Sequence, residues 1–218
     1  MSLTLVIGNK NYSSWSFRPW LHMKHAGLDF REQIITLYRP GHVEDIKVYN
    51  PAGRVPVLFD GELRIWDSLA ICEYISEKTG FGWPKLPAAR AHARSVSAEM
   101  HSGFQTLRTL CPVNIRARRR IPMTPELGND VARIDEIWRE CREHHGASGP
   151  WLFGAFSIAD AMYAPVVTRF NTYGLPLSAV SAAYAQTVLA DRHVGEWVRA
   201  AAAEPWTVQE TDDVGTPL

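Results

Sequence analysis

Apolar and polar positions divide the chain into two regimes. In the first third, short β-branched runs alternate with helical spacing. Residues 3–7 are an apolar run closed by Gly8-Asn9 and read as a buried strand. A helix over 15–25 follows, with Trp20, Leu21 and Met23 partly buried, Pro19 tolerated only in its first turns and Gly27 as its stop. Residues 30–37 alternate enough for a second strand, and 43–49 make a short helix. Two apolar runs, 57–59 and 63–65, flank Asp60-Gly61, a hairpin signal because both residues tolerate positive φ. Pro56 has no N–H and suits the first position of that hairpin. Asp67 or Ser68 then caps a helix through Ala70, Ile71, Tyr74 and Ile75. The order β-α-β-α-β-β-α is that of an α/β domain.

From residue 88 the period is helical. It predicts one long helix over 88–110 with Val96, Met100, Phe104, Leu107 and Leu110 inward. Thr124-Pro125 opens another, with Val131, Ile134, Ile137, Trp138 and Cys141 on its buried face. Ser157 and Asp160, three apart before an apolar run, form a capping box. Two more helices cover 178–189 and 193–203, and 204–218 extends over the surface. The Gly- and Pro-rich stretch 80–87 reads as a linker between a domain of 1–79 and an all-helical domain of 88–218.

Composition narrows the picture. Lys+Arg and Asp+Glu both number 23, so no overall field draws nucleic acid or an anionic membrane. The cluster Asn114-Ile115-Arg116-Ala117-Arg118-Arg119-Arg120 reads as a solvated loop or helix end, since it lacks the interleaved aromatics of a nucleic-acid surface. No apolar run is long enough to span a bilayer, and no secretory signal opens the chain. Cys72, Cys111 and Cys141 are odd in number and far apart, which fits neither a disulfide framework nor a metal cluster and points to a reducing cytoplasm. His144-His145 do not share a helix face, so no zinc site is expected there.

Two stretches carry candidate chemistry. The start of the helix after Trp66 presents free N–H groups and a partial positive charge, with the Ser68 hydroxyl beside them, and favours a carboxylate. If the Val55–Pro56 bond is cis, Val55 can offer its N–H and C=O to a peptide lying alongside. The same spacing also fits an ordinary hairpin, helix and turn proline. The loop 11–14 can hold an oxygen at a helix N-terminus, where it would donate to a thiolate and lower the thiol's pKa. Ser13 and Ser14 are the candidates, then Tyr12 and Asn11; from the residues alone, capping of the helix is the better account of them, because Ser and Asn are the usual caps.

The stretch Arg54-Val55-Pro56-Val57-Leu58, Asp60-Gly61 and Asp67-Ser68-Leu69-Ala70-Ile71 resembles the glutathione-site core of cytosolic glutathione transferases. Phe156-Ser157-Ile158-Ala159-Asp160 is similar to the capping motif of their second domain, so the resemblance covers nearly the whole chain. It implies a thioredoxin-like first domain with a cis-proline, followed by an all-α second domain. Val55 would pair with the cysteinyl backbone of glutathione, Asp67 and Ser68 would hold its γ-glutamyl end, and Arg54 would lie near its glycyl carboxylate. Arg39 and His42 lie on a loop that closes over glutathione in relatives. Residues 11–18, Asn-Tyr-Ser-Ser-Trp-Ser-Phe-Arg, resemble the zeta-class motif Ser-Ser-Cys-Ser-Trp-Arg-Val-Arg, with Asn11 at the first Ser and Ser13 at the Cys. Ser13 is the preferred contact to the sulfur, Ser14 the next, and Asn11 a helper. The implied activity is attack of the glutathione thiolate on an electrophilic apolar cosubstrate, with no metal, by a cytoplasmic homodimer. A zeta-like cis–trans isomerase and a non-catalytic binder of glutathione or an apolar ligand are the alternatives.

Overall fold

The computed structural model describes residues 3–218. Strands β1 (Leu3–Gly8), β2 (Phe30–Ile35), β3 (Val57–Asp60) and β4 (Leu63–Trp66) form one mixed sheet in the order β2-β1-β3-β4. β1 runs parallel to β2 and antiparallel to β3, and β3 pairs antiparallel with β4. The period of two sends Leu3, Leu5, Ile7 and Leu58 to the main core, while Val6 and Val57 meet Ile35 and Ile46 on the other face. Helices α1 (Ser14–His25), α2 (His42–Lys47) and α3 (Ser68–Thr79) complete the α/β part. The Val55–Pro56 peptide is cis.

The remainder is helical: α4 (Pro87–Ser102), α5 (Gln105–Leu110), α6 (Pro125–His145), α7 (Ile158–Tyr173), α8 (Ala179–Ala190), α9 (Arg192–Ala203) and a short α10 (Gln209–Asp212). Helix α7 is buried along nearly its whole length, with α1, α4 and α8 packed against it. Its capping box forms as the spacing requires. One continuous apolar core joins the two parts. Phe17 and Trp20 of α1 stack and edge onto Trp197 of α9, with ring centroids 4.8 and 5.0 Å apart. Gly82, at φ 121°, passes so close to His22 that an added Cβ would collide with the imidazole, so only glycine fits.

Three expectations are corrected. Asp60 belongs to β3 and pairs with Leu63, so the turn is Gly61-Glu62, with Gly61 at φ 62°. Asp60 instead accepts from the Tyr74 hydroxyl at 2.7 Å and from Lys78 at 2.5 Å. The single helix over 88–110 is two, broken at Gly103-Phe104, where Phe104 adopts φ 60°. Arg108 reaches back and donates to the carbonyls of Met100, His101 and Gly103, which the break leaves without helical partners. The arginine-rich loop is solvated only in part: Arg118 and Arg120 are exposed, but Arg116 donates to the carbonyls of Glu204 and Trp206, each at 2.8 Å, and Arg119 to that of Asp212. The tail 204–218 runs largely exposed over the surface and is fastened there as a strap. The Glu204 carboxylate accepts from the Lys10 and Asn11 N–H groups at 2.6 and 3.0 Å, and a two-residue strand pair, Arg119–Arg120 with Thr216–Pro217, fastens its far end.

Candidate functional site

An open cavity of about 850 Å³ lies where the sheet's loops meet α4, α5 and α7. Its floor comes from the loop after β1 and the turn before Pro56, one side from the start of α3, and the far wall from His101, Arg108, Pro112, Val113 and Arg169.

The sequence candidates distribute unevenly around it. Ser13, Ser14, Arg54, Val55, Pro56, Asp67 and Ser68 all line the cavity, as does His42; Arg39 does not, and pairs with Asp45. Asn11 is excluded: its carboxamide donates to Asn114 at 3.0 Å and accepts from the Arg116 N–H at 2.9 Å, deep in the seam between the two parts. Tyr12 lines the cavity, but its hydroxyl is committed elsewhere. It donates to Asp212 at 2.9 Å and accepts from Arg116 at 2.9 Å and from the Val208 N–H at 3.1 Å.

The N-cap of α1 is Ser13, whose oxygen accepts from the Ser16 N–H at 3.4 Å and lies 2.8 Å from the Ser16 hydroxyl. Ser16 in turn accepts from the Gly8 N–H at 3.0 Å, which ties the loop to the end of β1. Ser14 is the first residue of the helix, and its hydroxyl oxygen accepts from Arg169 at 3.3 Å. At α3 the cap is Asp67, held at φ 74°, ψ 135° and accepting from the Leu69 and Ala70 N–H groups at 2.9 and 3.2 Å. That leaves Ser68 facing the cavity with a buried hydroxyl that has no partner among the described residues. Neither the N–H nor the C=O of Val55 is bonded by another described residue.

The far wall departs from the expected apolar surface. Trp15 lies under two guanidinium groups, Arg18 at 4.4 Å and Arg108 at 4.9 Å, and meets His101 edge-on at 5.3 Å. Arg18 is fully buried, and its three nitrogens have no partner among the described residues. Burial, with Arg108 and Arg169 nearby, holds its pKa well below the usual guanidinium range. Burial, then Arg108, pulls Arg169 down to about 10. Burial also lowers His101, with Asp67, 3.2 Å away, opposing. One Arg108 nitrogen, Nη1, is buried and free of partners among the described residues.

Sequence reading missed Arg108 and Arg169. Arg169 left a signal: it is a cation inside a long, largely apolar helical run, and a charge there must find a partner. Arg108 left none, because the apolar register runs unbroken across the Gly103 break. Cys72 and Cys111 are buried thiols whose pKa burial raises, which fits packing rather than chemistry. Among the described residues no three His, Cys, Asp or Glu side chains come close enough to hold a metal ion. No described helix is long and apolar enough to cross a membrane.

Comparison with known proteins agrees with this arrangement. Residues 12–78 match the family model of the glutathione S-transferase N-terminal domain, and 114–202 that of the C-terminal domain. Glutathione S-transferase Z1 of Arabidopsis thaliana is 34% identical over 194 residues, covering 80% of this chain and 85% of that protein. The probable maleylacetoacetate isomerase of Caenorhabditis elegans is 29% identical over 171 residues, 76% of this chain and 77% of its own. A Burkholderia glutathione transferase homolog solved with bound glutathione superposes with a TM-score of 0.71 at 20% identity, over 94% of this chain and all of that one. The chain belongs to the glutathione S-transferase family.

Proposed function

We propose that this chain is a glutathione transferase that binds glutathione in the cavity and activates its thiolate for attack on an electrophilic carbon. One observation carries the reading. A free main-chain edge at Val55, an unpartnered buried hydroxyl at Ser68 and serine hydroxyls at the start of α1 face a single cavity. The edge at Val55 accepts the cysteinyl backbone, Asp67 and Ser68 take the γ-glutamyl end, and exposed Arg54 at the rim pairs with the glycyl carboxylate. A serine hydroxyl from Ser13 or Ser14, at a helix N-terminus, donates to the sulfur. Residues 1–79 then hold glutathione, 80–87 link, and 88–218 supply the cosubstrate wall. The family and three free, buried cysteines support a cytoplasmic enzyme. Exposed Leu63 and Trp66 at the sheet edge support a homodimer.

A second reading draws support from the cationic wall. Arg108 Nη1 and His101 flank the space beside Trp15, where a carboxylate on the cosubstrate would sit. That favours glutathione-dependent cis–trans isomerisation of a maleyl-type acid over attack on a purely apolar electrophile.

Calorimetry with glutathione, run beside turnover of an activated aryl halide and of a maleyl acid, tests both. Ser68→Ala should weaken glutathione binding about tenfold, the loss of one hydrogen bond to a charged group. Absence of heat with the wild-type protein overturns the reading. Heat without turnover of either compound leaves a binder.

A further inference from the structure

The two serines at the start of α1 are not equivalent. Ser13 is engaged as a cap, and its proton is shared with Ser16: either hydroxyl of the 2.8 Å pair is the donor. Among the described residues the Ser14 hydroxyl has one partner, Arg169, and that partner can only donate. No described residue accepts from the Ser14 hydroxyl, so its proton has no competitor for the cavity.

Arg169 is fixed in place by its other nitrogens. Its Nε donates to the carbonyl of Cys111 at 2.8 Å and its Nη1 to that of Pro165 at 3.5 Å, which leaves Nη2 pointing across the seam at Ser14. Asn11 and Tyr12, the other polar side chains of this loop, are consumed by the strap and the seam. Resting on the glutathione reading above, we infer that Arg169 is a positioning residue. It occupies a lone pair of the Ser14 oxygen, so the Ser14 proton turns toward the cavity and donates to the glutathione sulfur. The thiol proton leaves to solvent, and the thiolate is the species stabilised. A cation donating to the same oxygen also polarises the O–H bond and strengthens the donation.

The test is a double-mutant cycle on the full-length protein, read as the pH dependence of thiolate ultraviolet absorbance in the glutathione complex, with affinity measured calorimetrically. In the wild-type complex the thiol should titrate about one pH unit or more below the ordinary value of about 8.5. Ser14→Ala should raise it by about one pH unit. Arg169→Gln should raise it comparably, yet add little in the Ser14→Ala background. Ser13→Ala should produce the smaller change. If Arg169→Gln acts equally with and without Ser14, its charge works on the sulfur directly and the relay is wrong. A dominant effect of Ser13→Ala overturns it too. Should circular dichroism show Arg169→Gln unfolded, Arg169→Lys replaces it in the same cycle. Heat on binding with an unshifted thiol refutes this inference alone; no heat refutes the glutathione reading with it.

Discussion

Asp67 and His22 show what single residues contribute. Asp67 occupies φ 74° without being glycine, a conformation that costs on the order of 1–3 kcal/mol and persists only when the surroundings enforce it. The enforcing contacts are its two cap bonds and His101, and the strained residue sits at the cavity mouth. His22 is buried against Phe81 and Gly82, and its desolvation pulls the imidazole from 6.5 down to about 4, against the opposing hydrogen bond to the Phe81 carbonyl. The unfolded chain therefore takes the proton first as pH falls. Stability from this group is complete above about 6.5 and is lost toward about 4, by about 2 kcal/mol at pH ~5. Comparing wild type with His22→Gln by urea unfolding at pH ~7 and ~5 isolates it. The gap between the two proteins should narrow by that amount at the lower pH; a constant gap contradicts the assignment.

Among the elements, α7 depends most on its start. The Asp160 carboxylate accepts from the Leu152 N–H at 3.0 Å, the Ser157 N–H at 2.8 Å and the Ser157 hydroxyl at 2.9 Å, all buried. Asp160→Ala should cost about 3 kcal/mol, roughly one for each donor left unpaired. A loss under about 1 kcal/mol in urea unfolding would mean water replaces the carboxylate. The box was legible because its partners are three residues apart. The break between α4 and α5 was not, because Met100, Phe104 and Leu107 keep helical spacing on both sides of it. Its signal was Gly103, a weak one alone, and its consequence is the placement of Arg108 on the cavity wall.

On the scale of the whole molecule, Arg116 binds the strap to the N-terminal loop through Glu204, Trp206 and Tyr12. Arg116→Ala should release residues 204–218, seen as faster amide exchange there and at the N–H groups of Lys10 and Asn11. Unchanged exchange would show that Glu204 and the short strand pair suffice. What the residues dictate by themselves is whatever rests on neighbours along the chain: the strand and helix periods, the caps at Ser13, Asp67 and Ser157, the hairpin, and the motif around Pro56. Contacts between residues far apart were decided only by folding. Asn11 went to Asn114, Tyr12 to Asp212, and Ser14 to Arg169, 155 residues away. A hydroxyl's chemistry depends on which lone pair and which proton remain unclaimed, and those claims come from across the seam between the two parts.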